Sequence, residues 1–124
     1  MQAWGYELVE ELVWVKLRNE KVYLTHGYYF MHSYEICLVG YKNSRKDGKS
    51  MMLRHGINPN AIFGEVRKKS QKPEDLYSVI EMIFKGKRKI EVFARNHNLR
   101  FGLFSVGNEL GEAYDKWKLH LRCD

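Results

Sequence analysis

Proline is nearly missing from this 124-residue chain: it occurs only at Pro59 and Pro73, far apart, so no motif built on adjacent prolines exists within it. Cysteine is as scarce. Cys37 sits in the apolar run Ile36-Cys37-Leu38-Val39 and reads as a small hydrophobe, and Cys123 is the penultimate residue. There is no Cys-x-x-Cys spacing and no His/Cys cluster of zinc-ligand type, which excludes a disulfide framework and a structural metal and suits a reducing compartment. No apolar run approaches the ~20 residues of a membrane span. The opening Met1-Gln2-Ala3-Trp4-Gly5 lacks the basic and apolar regions of a signal peptide. A soluble intracellular protein is expected. Gly-rich phosphate loops of the common spacings are absent, as is any supported Ser/His/Asp or Cys/His arrangement.

What is present suffices for one packed domain over residues 1–124. The hydrophobic share is 44% and the aromatic share 14%. Lysine plus arginine outnumber aspartate plus glutamate by 21 to 15, and the resulting charge of +6 favours an acidic partner such as nucleic acid. Residues 8–16 begin ambiguously and end as a strand at Val13-Trp14-Val15, with a second strand over Ile36 to Tyr41. Residues 17–34 read as a long connection dense in aromatics that packs on the body or on a partner. Residues 42–60 are a polar loop punctuated by Gly48, Gly56 and Asn58-Pro59.

A helix start is signalled by Pro73 at the first helical position and Glu74 and Asp75 in the first turn. Leu76, Val79, Ile80 and Ile83 form its buried stripe, and Lys85-Gly86 its stop. A strand over 90–94 follows, then the apolar patch Phe101, Leu103, Phe104 and Val106, and a final helix through Tyr114, Trp117, Leu119 and Leu121.

The stretch Lys72 to Asn98 carries the most chemistry. Open α/β sheets bind ligands at the C-terminal ends of their strands. There the strand 90–94 delivers Arg95, His97 and Asn98, whose donors and acceptors suit ribose hydroxyls or a carboxylate. A surface histidine or a satisfied one is the plainer reading. Lys72, held extended by Pro73, faces the same choice between an anionic ligand and solvent. Basic clusters at 42–54, 67–72 and 85–89, with aromatics in 23–34, are a combination used on unpaired bases. The candidate nucleic-acid contacts are Lys16, Lys42, Arg45, Lys46, Arg67, Lys68 and Lys69. Lys85-Gly86-Lys87-Arg88-Lys89 has the composition of a nuclear-localisation cluster, although its place between helix and strand makes an ordinary turn the plainer reading. A nuclear location is the expectation.

In order along the chain, Trp4-Gly5-Tyr6-Glu7, Glu11-Leu12-Val13-Trp14-Val15-Lys16, His32 with Glu35 to Gly40, and Glu65-Val66-Arg67 set up a pattern. Lys72-Pro73-Glu74-Asp75-Leu76-Tyr77, Arg88 to Arg95 and Gly107-Asn108-Glu109 complete it. So assembled, residues 4–110 resemble the MTA-seventy family of adenine methyltransferases, of the methyltransferase-like three and fourteen type.

The resemblance implies α/β architecture: an incomplete Rossmann-like methyltransferase fold, the C-terminal half of the sheet with a hairpin and flanking helices. It implies S-adenosylmethionine as the family cofactor. Lys72 would lie beside the methyl donor, Arg95, His97 and Asn98 at its ribose, and Asn108 with Glu109, in place of a glutamine, at its adenosine. Residues 17–34, with Tyr23, Tyr28, Tyr29, Phe30 and His32, would match the loop through which catalytic and non-catalytic members pair. The chain departs from the pattern at Ala94 for glycine and Asn96 for proline. It also lacks the catalytic Asp-Pro-Pro-Trp and the N-terminal half that would carry it.

The expected function is a non-catalytic, truncated subunit of an adenine N-methyltransferase complex, docked on a catalytic paralogue and acting on DNA or RNA. The alternatives are a split chain donating half of an S-adenosylmethionine site, and a free-standing basic nucleic-acid-binding module. A half sheet exposes an edge and an apolar face, so stability mainly within a complex is expected.

Overall fold

The structure, a computed structural model, describes residues 1–42 and 59–111. The chain divides into two compact units, Met1–Lys85 and Gly86–Asp124.

The first unit is organised by β1 (Glu7–Arg18), whose β-branched and aromatic second half, Val13-Trp14-Val15, suits a central strand. The whole segment is strand, including the half whose sequence is ambiguous. On one side β1 pairs antiparallel with β3 (Tyr34–Tyr41), with a register shift between Leu8 and Glu10. On the other it pairs in parallel with β4 (Ala61–Glu65). The short β2 (Lys21–Val22) folds back on the end of β1. That hairpin turns at Asn19 and Glu20, with φ of 50° and 61°, the positive values required of both central residues in a type I′ turn. Residues 17–34 are therefore not one loop. They hold this hairpin and then a second reversal fastened by the Thr25–His32 bridge.

Residues opposite one another share a sheet face. Trp14 stands against Glu35 and Ile62, and Lys16 against Gly64, on the face that meets α1 (Glu74–Ile83). Trp14, Ile62 and Tyr77 are buried there. The other face carries Val13, Val15, Tyr34, Ile36, Leu38 and Phe63, and the last four are at least half exposed. The stripe Leu76, Val79, Ile80 and Ile83 is half-buried; Tyr77 is the buried residue of the helix. Pro73 caps the helix from an extended conformation, so α1 begins one residue later than expected, and it ends at Ile83 with Gly86 turning at φ 72°.

In the second unit β5 (Lys89–Val92) and β6 (Leu103–Val106) run parallel. The strand ends before Phe93, which takes φ 62° and turns the chain so that Ala94 is buried. A 3-10 turn over Asn96–Asn98 follows. Ala94 N–H donates to Val106 O at 2.9 Å, and the strand ends approach so closely that a Cβ on Gly107 would lie 2.1 Å from Ala94 O. The expected final helix lies outside the described residues, as does most of the polar loop 42–60. No helix among the described residues is long and apolar enough to cross a membrane.

Gly64 holds the first unit together by having no side chain. A Cβ there would lie 2.7 Å from Pro73 Cβ and 3.0 Å from Trp14 Nε1. Gly64→Ala is expected to destabilise this unit by about 1–3 kcal/mol, as overpacking does, seen in denaturant unfolding monitored by tryptophan fluorescence.

Candidate functional site

In the first unit three charged side chains meet beside one indole. Lys16, from β1, reaches Glu35 Oε1 at 2.8 Å, and Lys72, from the loop before α1, reaches Glu35 Oε2 at 2.5 Å. Both ammonium groups stand over the Trp14 ring, 5.6 and 5.8 Å from its centroid, close enough for cation–π attraction. The Trp14 indole N–H donates to Gly64 O at 2.9 Å in a buried setting, which fixes the ring between sheet and helix. Cross-strand pairing with Trp14 brings Glu35 to the same face. Burial pushes the Glu35 carboxyl up, but hydrogen bonds from Lys16 and Lys72, and their charge, hold it below its ordinary 4.5. The result is an ionised carboxylate between two cations, able to accept from an amine or to release Lys72 to an anion.

The second unit gathers the residues that follow β5 and β6. Arg95 grips Glu109 with two bonds, Nε to Oε2 and an η nitrogen to Oε1, each 3.1 Å. This fork geometry is the strong form of an Arg–carboxylate pair, and Arg95 and Glu109 also form a parallel bridge that extends the two strands. Asn96 Oδ1 accepts from Gly111 N–H at 2.9 Å. Asn98 is buried, His97 half-buried, and Asn108 exposed. Arg95 and Glu109 are thus one paired group, with Asn96, tied to Gly111, and His97 and Asn98 in the turn that follows Arg95. Lys72 belongs to the first unit.

The other candidates fall in separate places. Lys42 Nζ donates to Trp4 O at 3.0 Å and stands 5.5 Å from the Tyr6 ring. Arg67 donates to Lys72 O at 2.8 Å and to Glu74 Oε1 at 3.2 Å, fastening the loop to the first turn of α1. Lys68 and Lys69 are exposed. Arg45 and Lys46 lie outside the described residues.

Tyr23 is half-buried beneath Arg18, 4.1 Å from its ring, whereas Tyr28, Tyr29 and Phe30 are 92%, 85% and 81% exposed. His32 anchors their loop through its backbone pair with Thr25, and its O also accepts from Thr25 Oγ1 at 3.1 Å.

Glu35 and Trp14 are the residues that reading the sequence for function passes over. Their signal is indirect: a lone acid opening an apolar strand is free to face a lysine across the sheet.

The ion pair makes stability depend on acid. With its pKa lowered on folding, Glu35 contributes fully above 4.5 and loses that contribution as pH falls through its lower folded value. Glu35→Gln is expected to cost about 0.5–1 kcal/mol at pH 7, the range for partly exposed pairs. In thermal melts the gap between wild type and variant should close as pH drops below 4.5.

The whole arrangement lies within a stretch that matches known proteins. Residues 1–109 match the family model described as MT-A70. Over 113 residues the chain is 41% identical to a Medicago truncatula protein named as a putative N(6)-adenosine-methyltransferase MT-A70-like, covering 89% of this chain and 17% of that one. To the Homo sapiens N(6)-adenosine-methyltransferase catalytic subunit METTL3 it is 37% identical over 113 residues, 89% of this chain and 19% of the relative. To the Drosophila melanogaster non-catalytic subunit METTL14 it is 25% identical over 117 residues, 89% of this chain and 30% of the relative. The chain therefore spans less than a fifth of the length of the first two. With the match to residues 1–109 and these identities, the chain belongs to the MT-A70 family.

Proposed function

We propose that this chain works within an adenosine N-methyltransferase complex as a non-catalytic element that docks on a catalytic paralogue. The observation that carries this reading is the aromatic tip. Tyr28, Tyr29 and Phe30 project from a loop pinned by the Thr25–His32 bridge, almost fully exposed. Three adjacent aromatics held in water by a braced loop are the composition of an interface core. Relatives named as a catalytic and a non-catalytic subunit of the same kind of enzyme support the pairing. These 124 residues hold no Asp-Pro-Pro-Trp, so the acceptors that grip the target amine would lie outside them. One family match running across residues 1–109 supports reading both units as parts of a single domain. Lys68 and Lys69 are exposed cations in the loop before α1, available to a nucleic-acid backbone.

The second reading is a shared S-adenosylmethionine site, favoured by the residues gathered in the second unit. The side chains fit such a group: the amides of Asn98 and Asn108 and the Glu109 carboxylate suit ribose hydroxyls and an adenine edge. Arg95 would orient Glu109, and His97 would border the ribose. When bound, the cofactor supplies an electrophilic methyl group on a sulfonium. The chain's own residues bind and orient.

Replacing Tyr29, Phe30 and His32 together by alanine is expected to weaken binding to a METTL3-type catalytic subunit by about 30-fold or more, the loss of one interface hot spot, in surface plasmon resonance. Unchanged affinity would sink the docking claim. Calorimetry of the assembled complex with S-adenosylmethionine, with and without Asn98→Ala, separates the two readings: a lost signal favours the shared site, and an unchanged one favours pure docking.

A further inference from the structure

Of the six serines and one threonine in the chain, Ser70 alone has an arginine three positions before it, in Arg67-Lys68-Lys69-Ser70. This segment joins β4 to α1 and is exposed throughout. Two hydrogen bonds close it into a turn, Gln71 N–H to Lys68 O at 3.0 Å and Lys68 N–H to Gln71 Oε1 at 3.3 Å. Ser70 sits at φ 61°, a left-handed conformation that strains any residue with a Cβ. Opening the turn to an extended form relieves that strain. Freeing Arg67 for a partner costs its bond to Lys72 O and its exposed pair with Glu74. Other described hydroxyls offer no such setting: Ser105 is buried in β6 and Ser78 donates to Glu74 O within the helix.

We propose that Ser70 is a phosphoacceptor for a protein kinase whose acidic groove reads the upstream arginine, and that the phosphate switches off the contact of this loop with nucleic acid. In the transfer, Ser70 Oγ bonds to the γ-phosphorus of ATP. The bond from that phosphorus to the β–γ bridging oxygen breaks, ADP leaves with the electron pair, and the Oγ proton passes to the kinase's carboxylate base. The product carries a charge of about −1.5 to −2. Arg67, Lys68 and Lys69 precede it directly and Lys72 follows two residues on. The phosphate then competes with Glu74 for Arg67 and with Glu35 for Lys72, and neutralises the cations that a nucleic-acid backbone would meet. The acceptor assignment stands on the loop alone, whereas the switch rests on the proposed nucleic-acid contact.

The test treats the full chain with ATP and a basophilic kinase and maps phosphate by mass spectrometry. Phosphate is expected on Ser70, with the rate falling about tenfold or more in Arg67→Ala, the loss of one charge-assisted hydrogen bond in the kinase groove. The double variant Arg67→Ala/Glu74→Gln, which removes both members of that ion pair, should show the same fall. Phosphate absent from Ser70, or a rate indifferent to Arg67 in both variants, overturns the assignment. Binding of a single-stranded RNA oligonucleotide is then compared before and after modification across a salt series. The phosphorylated chain should bind more weakly, with a log–log salt slope shallower by about one to two. Equal binding overturns the switch. An unmodified chain that leaves the RNA unbound overturns the nucleic-acid reading and the switch together, while the acceptor assignment is decided by the phosphate map.

Discussion

The first unit depends on one hydrogen bond, from the Trp14 indole N–H to Gly64 O. The bond spans the parallel pair β1 and β4, and the same ring stands near Pro73, where the chain enters α1. A buried indole donor left without an acceptor costs about 1–3 kcal/mol, so the ring has one place to sit. Its position fixes others. Gly64 must lack a side chain, Pro73 must lie against it, and Lys16 and Lys72 find a π face beside which to stand. Glu35, opposite Trp14 in the register, completes the row.

The second unit is built on a different constraint, the close approach of two backbones. Gly107 passes so near Ala94 that no side chain fits between them. That approach sets residues 94–98 beside residues 107–109, where Arg95 and Glu109 lock in a forked pair. The glutamate that stands where the family pattern has glutamine therefore acquires a cation partner within the chain. The two units thus arrive at the same kind of solution: polar groups at strand ends, oriented by charge partners rather than left free. Such preorientation suits residues meant to bind, since less freedom is lost when a ligand arrives.

Much of this was legible in the sequence and some was not. Val13-Trp14-Val15 and Ile36 to Tyr41 announced two strands because their β-branched and aromatic content is dense, and they pair as expected. Pro73-Glu74-Asp75 announced α1 to within one residue. Leu103 to Val106 read only as part of an apolar patch, although they form β6, and β4 gives no strand signal of its own. Strands of four or five residues have too few alternations to show a period, and a central Gly64 breaks the pattern further. The Asn19-Glu20 hairpin stayed hidden because glutamate gives no sign of accepting positive φ. Among the candidate residues, Lys72, Arg95 and Asn98 drew attention through the family resemblance and their places before α1 and after β5. Glu35 was not, because its importance lies in which residue faces it across the sheet, and register is not written in one strand.

The braced aromatic loop, exposed in the chain itself, is proposed as the surface that meets a catalytic partner. Hydrogen–deuterium exchange of the chain alone and bound to a METTL3-type catalytic subunit tests this directly. Protection on binding should concentrate in residues 23–34. Unchanged exchange in that loop, with protection appearing elsewhere in the chain, would contradict it.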